Sequence, residues 1–421
     1  AAVFAFKLTK EMFGRAAAFW MLLLTSTLPF FFGIAIILTP DAPLTACWAG
    51  ALLYLYRALI KGRSRAWLGV GICVGLGMLS KYTVALLGPA ALVYMLLDGD
   101  ARNWLKRPQP YLAVIISLAL FSPVIYWNSQ HEWVSFLFQS SRRLNETSHF
   151  SLHLLLGSAL FLLTPTGLIA AIVAMFRFPK SADVESGPDD RTLSRLRLFA
   201  LTFTLVPLAV FVLFSLTHEP KLNWTGPAWL AILPAVAWLI SRRPRKGHPE
   251  SILPKCWMPT IAIMTVLYAL ALNYLTPGLP GIGYPESMKD IAGYRELGEQ
   301  VGQIVEQTTE STGRQPLVLG ADLYSIASEL AFYNKRTGPA NTTALHLFGG
   351  RSLMYKYWLD PNSADGRDIV MVGKDAGQLM QTGMAEHFES MSATWQIPVS
   401  LNGHGIGNFS VRIGYGYHAR P

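Results

Sequence analysis

Four short polar stretches interrupt an otherwise apolar chain, and each holds side chains able to do chemistry. Thr39-Pro40-Asp41-Ala42-Pro43 joins two apolar runs. Its carboxylate could cap the following helix, with Pro43 in the first turn. It could also orient a hydroxyl or hold a cation. Ser80-Lys81-Tyr82 breaks a third run. That lysine could snorkel to a membrane interface or act as a compact point charge on a phosphate. Residues 127–133 place Asn128, His131, Glu132 and Trp133 together, with Arg142 and Arg143 following. Tryptophan is common at interfaces by default, but the His-Glu pair adds an acid/base or a metal ligand. Residues 217–224 combine His218, Glu219, Lys221, Asn223 and Trp224, in what could also be a solvated hairpin. His149 and His153, four apart, could face one way. No third ligand is predictable, so a divalent metal is conceivable but not indicated, and no cofactor is specified.

The elements that position these residues follow from composition. The chain has 421 residues, 52% hydrophobic and 14% charged, where soluble domains carry about 25% charged. Residues 1–275 hold 24 Lys and Arg against 12 Asp and Glu; residues 276–421 hold 11 against 14. This asymmetry excludes a single soluble globule, a disordered chain and a nucleic-acid binder with one basic face. It implies a membrane domain over residues 1–275 and a soluble domain over residues 276–421. Cys47, Cys73 and Cys256 are scattered and odd in number, so they form neither a disulfide framework nor a metal cluster.

Membrane helices need about 20 apolar residues. Ala16–Leu38, Ala42–Ile60, Pro110–Trp127, His153–Phe176, Leu198–Leu216, Pro227–Ile240 and Trp257–Leu275 qualify. Trp67–Leu97 is too long for one span and is read as two short helices meeting near Lys81. The expectation is a polytopic α-helical membrane protein of about nine spans. Twenty of the 24 cations then fall in alternate loops, leaving Lys81, Arg142, Arg143 and Lys221 in the other set. Cytoplasmic loops carry the excess of Lys and Arg. The four polar stretches and residues 276–421 are therefore expected outside. The chain starts without Met on Ala1–Phe6, which reads as the last turns of an earlier apolar helix, so an upstream segment is expected.

Residues 276–285 are a Pro/Gly linker. Apolar Ile291, Tyr294, Leu297, Val301, Ile304 and Val305 at helical spacing predict a helix. Pro316–Gly320 and Asp368–Gly373 predict buried strands, Ala321–Lys335 and Ala376–Met391 helices, and Thr394–Val399 and Phe409–Tyr417 closing strands. The alternation implies a C-terminal α/β domain, periplasmic in this orientation. Gly403–Gly407 is a turn rather than a phosphate loop.

The outer face of the membrane domain thus gathers cations, amides and indoles suited to a lipid-linked phosphate carrying a sugar. Lys81, Arg142, Arg143 and Lys221 would hold the phosphate. Tyr82, Asn128, His131, Glu132, Trp133, His218, Asn223 and Trp224 would hold substrate, with tryptophan stacking on a sugar face. At these same residues the sequence resembles the membrane glycosyltransferases of the GT-C fold. The nearest group is the bacterial one related to dolichyl-phosphate-mannose–protein mannosyltransferase and to the lipid A aminoarabinose transferase. The carrying stretches are Leu38–Leu59, Gly69–Leu92, Ser122–Phe136 and Phe214–Pro234, with Ala321–Lys335 in the tail.

The resemblance implies inverting transfer of a sugar from a polyprenyl-phosphate donor to a lipid, polysaccharide or protein acceptor outside the cytoplasmic membrane of a bacterium. Membrane lipids are partners and nucleic acid is not. It implies that an acidic residue in the first external loop, in an Asp-Glu pair before Lys-Pro-Pro, is the catalytic base that deprotonates the acceptor hydroxyl. That segment has no counterpart here and is expected upstream of Ala1. Carried over by residue, the second-motif acid, expected to be catalytic, maps onto Asp41, the helix-break lysine onto Lys81 and the late-motif lysine onto Lys221. The late motif reads Lys-Leu-Asn-Trp where the aminoarabinose transferases have Lys-Leu-Pro-His-Tyr. This argues against that activity and leaves the acceptor open. Two other classes compete. A transporter or flippase is motivated by the helix break at Lys81, although internal repeats are lacking. A non-catalytic scaffold would use the tail to bind a partner.

Overall fold

The structure, a computed structural model, describes residues 1–138, 149–178, 189–241, 252–381 and 383–419. The chain divides into two compact units, Ala1–Tyr268 and Ala269–Pro421. The first is helical. In order it holds α1 (Ala2–Phe13), α2 (Arg15–Thr27), α3 (Pro29–Ile36), α4 (Asp41–Leu59), α5 (Ala66–Ser80), α6 (Leu87–Leu97), α7 (Pro108–Gln130), the short α8 (Val134–Leu137), α9 (Leu152–Phe176), α10 (Asp190–Ser215) and α11 (Leu233–Ser241). Helix α12 (Ile252–Leu275) runs on into the second unit.

Among the described residues, α7, α9, α10 and Lys255–Leu275 of α12 are long and apolar enough to cross a membrane. The α2–α3 pair, bent by 64°, makes a fifth if counted as one span. That count is short of the expected nine, and the reasons are local. Trp67–Leu97 splits at Lys81 as expected, where extended backbone (φ −160°, ψ 132°) ends α5 before the 3₁₀ turn Tyr82–Leu86, but the halves Ala66–Ser80 and Tyr82–Leu97 are each shorter than a span. Pro227–Ile240 forms the 3₁₀ turn Gly226–Ala231 and then α11, and every residue from 226 to 240 is buried. A segment apolar on all sides and enclosed by protein need not match a bilayer's thickness. The expected span His153–Phe176 is one of the four, as α9, and is kinked at Thr164 (φ 62°, ψ 159°). Pro165 disfavours helical geometry for the residue before it. The Thr164 hydroxyl then accepts the Gly167 N–H at 3.2 Å, capping the resumed helix.

Close packing of α5 positions the helix break. Lipid tails supply no hydrophobic drive between helices, so small residues at contacts matter more. A Cβ on Gly71 would lie 2.8 Å from the Ala113 carbonyl oxygen of α7, and one on Gly75 2.9 Å from Leu120 Cβ. A Cβ on Gly77 would lie 3.1 Å from Cys47 Cβ of α4 and 3.0 Å from Val84 Cγ2 beyond the break.

Charged clamps tie these helices near the ends that carry the basic loops. Arg57 of α4 pairs with Glu11 of α1. Arg195 of α10 donates to Asp98 Oδ2 at 2.7 Å and to the Leu59 carbonyl at 2.7 Å. The Ala101 N–H donates to Asp98 Oδ1 at 2.7 Å, and the Tyr94 hydroxyl to Oδ2 at 3.2 Å. Burial works against an ionised Asp98, but the hydrogen bonds from Arg195 and Ala101 outweigh it. They hold its carboxyl below the usual carboxylate range.

The second unit is a six-stranded mixed sheet of β1 (Leu317–Gly320), β2 (Thr342–Ala344), β3 (Ile369–Gly373), β4 (Phe388–Met391), β5 (Trp395–Leu401) and β6 (His404–Tyr417). The order is β2-β1-β3-β6-β4, with β5 also on β6; β1 is parallel to β2 and β3, and β6 is antiparallel to its partners. Strands β1 and β3 are buried throughout. Alternation divides them between two cores. Val318, Val370 and Val372 pack with Leu297, Val301 and Val305 of α13 (Tyr294–Thr312), while Leu317, Leu319, Ile369 and Met371 face the other layer. Helices α14 (Ser325–Tyr333) and α15 (Tyr355–Trp358) complete the unit. Ile291 falls outside α13 and is exposed. The helix expected over Ala376–Met391 is absent. Gly383 takes φ 88°, and the stretch forms two 3₁₀ turns and β4.

Gly71→Leu must push α7 away and should lower stability by roughly 1–3 kcal/mol, measured by thermal unfolding in detergent. Asp98→Ala leaves Arg195 without its main carboxylate and should cost about 1.5–3 kcal/mol. Because the folded pKa of Asp98 is depressed, its contribution is present above the ordinary carboxyl pKa of about 4. It is lost as pH falls through the lower folded value, so wild type and Asp98→Ala should converge in stability on acidification.

Candidate active site

Helix α4 begins at Asp41, preceded by Pro40 in helical geometry, and the Thr45 hydroxyl donates to the Asp41 carbonyl at 2.6 Å. The anticipated capping role is not what the carboxylate does. It makes no cap hydrogen bond. Instead, Lys81 Nζ donates to Oδ1 at 2.8 Å and Asn223 Nδ2 donates to Oδ2 at 2.6 Å. Asp41 is 4% exposed. A carboxylate so shielded is costly unless paired and hydrogen-bonded, and both oxygens are engaged. The ion pair therefore joins the start of α4, the break after α5 and the segment before the 3₁₀ turn at Gly226. Lys81 has three N–H donors, one of which is spent on Asp41.

Neighbouring polar segments assemble through rings and backbone. Tyr82 stacks on Phe136 with ring centroids 5.4 Å apart and meets Phe121 edge-on at 5.4 Å. This brings the end of the 127–138 segment against the residue after Lys81. Phe136 was not singled out from the sequence. Its only mark there was its place at the end of the Ser122–Phe136 stretch. His131 stacks on Trp127 at 4.0 Å, its Nδ1 2.7 Å from the Trp127 carbonyl. Glu132 and Trp133 both adopt left-handed geometry, φ 54° and 56°, which is uncommon without glycine. The turn is pinned from below by Asn128, which is fully buried. Its Nδ2 donates to the Val124 carbonyl at 2.9 Å, and its Oδ1 accepts the Ser135 N–H at 3.0 Å.

The 217–224 segment is held to the start of α9. Residues His149 and Ser151 donate backbone N–H groups to the Thr217 and Ser215 carbonyls, and the Ser151 hydroxyl donates to the His218 carbonyl at 2.5 Å. His218 is buried; its ring stacks on Phe214 at 5.0 Å, and its Nδ1 lies 2.8 Å from the Thr217 hydroxyl. Trp224 packs on Phe214 at 5.3 Å. Lys221 is exposed. His149 Nε2 lies 3.7 Å from Glu219. His153 does not join that pair; its ring neighbour is Phe150. Among the described residues no three His, Cys, Asp or Glu are grouped to hold a metal. Arg142 and Arg143 lie outside the described residues.

Of the sequence-derived site residues, the structure thus joins Asp41, Lys81 and Asn223 directly, with Tyr82 beside them in sequence. It gives Asn128 a structural post and turns His218 inward among protein groups. The helical bundle followed by a small α/β domain is a fold found among solved structures. More particularly, the fold matches the crystal structure of ArnT from Cupriavidus metallidurans in the apo state. The TM-score is 0.55 at 16% identity, covering 98% of this chain and 81% of that one. The same protein bound to undecaprenyl phosphate matches with TM-score 0.55 at 15% identity and the same coverage. At this identity the likeness is one of fold. Residues 1–127 also match the sequence model of the family described as dolichyl-phosphate-mannose-protein mannosyltransferase. No curated protein sequence matches the chain.

Removing the amide in Asn128→Ala strands the Ser135 N–H and loosens the turn that carries Glu132 and Trp133. The expected loss is about 1–3 kcal/mol, read by thermal unfolding in detergent; Asn128→Asp should lose at least as much, because it sets an unpaired carboxylate in a buried place against the Val124 carbonyl.

Proposed function

We propose that this integral membrane protein is an inverting glycosyltransferase that moves a sugar from a polyprenyl-phosphate donor to an acceptor outside the cytoplasmic membrane, with residues 276–421 on that outer side. The observation that carries the reading is the Lys81 ammonium held at a helix break by a shielded carboxylate. A lysine in this setting is fixed in position and charge yet keeps N–H donors for a second anion. A phosphate arriving from the lipid would take those donors. Asp41 serves the reaction by holding Lys81 and Asn223 in place, since both its oxygens are spent on them.

In the reaction the bond from the anomeric carbon to the phosphate oxygen breaks, and the phosphate leaves with the electron pair. The acceptor oxygen bonds the opposite face of that carbon as its proton passes to a carboxylate base, the role the family resemblance gives to an acidic residue of an external loop. Negative charge grows on the phosphate, and a preorganised donor aimed at it is worth about 2.7–4 kcal/mol, by comparison with oxyanion sites. Lys221, Arg142 and Arg143 would add to the positive field on the same phosphate. Tyr82, Trp133 and Trp224 offer ring faces for the sugar, and His131 and Glu132 are the polar groups proposed to meet its hydroxyls. The Lys-Leu-Asn-Trp sequence at 221–224 supports an acceptor other than that of the aminoarabinose transferases, because Asn223 is committed to Asp41 at 2.6 Å.

The test is transfer of radiolabelled sugar from a polyprenyl-phosphate donor by membranes carrying the variants. Lys81→Ala should lower kcat/KM by about 10²–10³, Lys81→Arg less, and Asp41→Asn at least tenfold by releasing Lys81. Unchanged transfer in Lys81→Ala and Asp41→Asn would overturn the assignment. Donor lipid crossing the bilayer of proteoliposomes with no glycosylated product would favour a flippase.

A further inference from the structure

The second unit carries a groove of about 580 Å³ whose lining includes Arg295, Glu299, Gln303, Phe332, Lys335 and Arg336. One wall is a single face of α13, since 295, 299 and 303 are spaced by four. The other is the chain leaving α14. The walls approach closely because α13 has glycine at the contact: a Cβ on Gly298 would lie 2.8 Å from Tyr333 Cβ.

The second wall is built rather than loose. Asn334 is 2% exposed; its Oδ1 accepts the N–H of Arg336 at 3.1 Å and of Thr337 at 3.3 Å, and its Nδ2 donates to the Thr337 hydroxyl at 2.6 Å. Arg336 is braced by Glu306 at 2.6 Å. Groups already fixed in this way cost little ordering on binding. Phe332 is 76% exposed, and Tyr333 meets its ring edge-on at 4.9 Å and 89°.

The groove's charge runs against its surroundings. Residues 276–421 hold more acids than bases, yet the lining has three cations to one acid. We infer that the groove binds an anionic glycan. The guanidinium and ammonium groups take its carboxylates or phosphates, the Phe332 face stacks on a pyranose ring, and Gln303 and Glu299 bond its hydroxyls. A flat lipid surface fits less well, because the groove between α13 and the chain leaving α14 is concave. The groove rests on the proposed transfer reaction only for its role, as the site that holds a charged acceptor chain. Binding is measured without transfer.

Purified full-length protein in detergent is titrated with fluorescein-labelled hexagalacturonate, phosphorylated maltohexaose and neutral maltohexaose. At least one anionic probe should bind tenfold or more tighter than the neutral one, and the two anionic arms separate carboxylate from phosphate recognition. Its affinity should weaken with added salt, as exposed charges are screened. Arg295→Glu with Lys335→Glu should weaken it at least tenfold, and Phe332→Ala at least threefold. Arg295→Lys should retain most of it, and Lys81→Ala should leave it unchanged. Equal thermal unfolding of wild type and variants checks folding. No anionic glycan binding, indifference to probe charge, insensitivity to charge reversal, or equal competition by short-chain phosphatidylglycerol each overturns the inference. Loss of transfer in every assay with glycan binding intact would sink the proposed function and leave the groove standing.

Discussion

Asp41 and Lys81 hold each other in a place where neither would be stable alone. A shielded carboxylate must be paired, and an ammonium at a helix break must find an anion or reach water. Their 2.8 Å contact, with Asn223 on the second oxygen at 2.6 Å, joins three segments far apart in sequence. The helices around them are arranged so that this contact can form. Gly77 lets α4 and the turn after Lys81 lie close, and Gly71 and Gly75 let α7 lie on the other side of α5. Such a pair gives little net stability compared with apolar packing. Its value lies in fixing one lysine where a second anion can meet it.

The helices are tied at more than one place. The Asp98–Arg195 clamp binds the ends of α4, α6 and α10 through one carboxylate and one carbonyl, and Arg57–Glu11 joins α4 to α1. Most of the chain's cations read as orientation signals in the sequence. Several prove to be mechanical as well, because an arginine fork can satisfy a helix-end carbonyl and a carboxylate together. The second unit repeats the principle: buried strands β1 and β3 carry two cores on alternate faces, and Asn334 pins the loop that shapes a charged groove.

Long apolar runs with flanking polar clusters were legible, and so was the break at Lys81, because a charge and a tyrosine inside an apolar stretch have few benign uses. Strands β1 and β3 could be read from unbroken apolar runs. The misreadings have physical causes. Ala376–Met391 has helical composition, but Gly383 sits at positive φ and the following residues find a sheet edge on β6. Residues 226–240 looked like a span because apolarity alone does not separate burial in protein from burial in lipid.

The sequence by itself determined that the chain has an apolar helical part and an α/β part, which loops carry the basic residues, and which few polar side chains interrupt the apolar runs. These depend on composition and spacing, which are local. Only the tertiary structure decided that Asp41 pairs with Lys81 rather than capping its own helix, that Asn223 joins them, and that Asn128 and His218 are turned to structural contacts. A carboxylate at a helix start has a local partner in the backbone N–H groups and distant ones across the bundle. The choice belongs to packing, because only close approach of α4 and α5 brings an ammonium near enough to win.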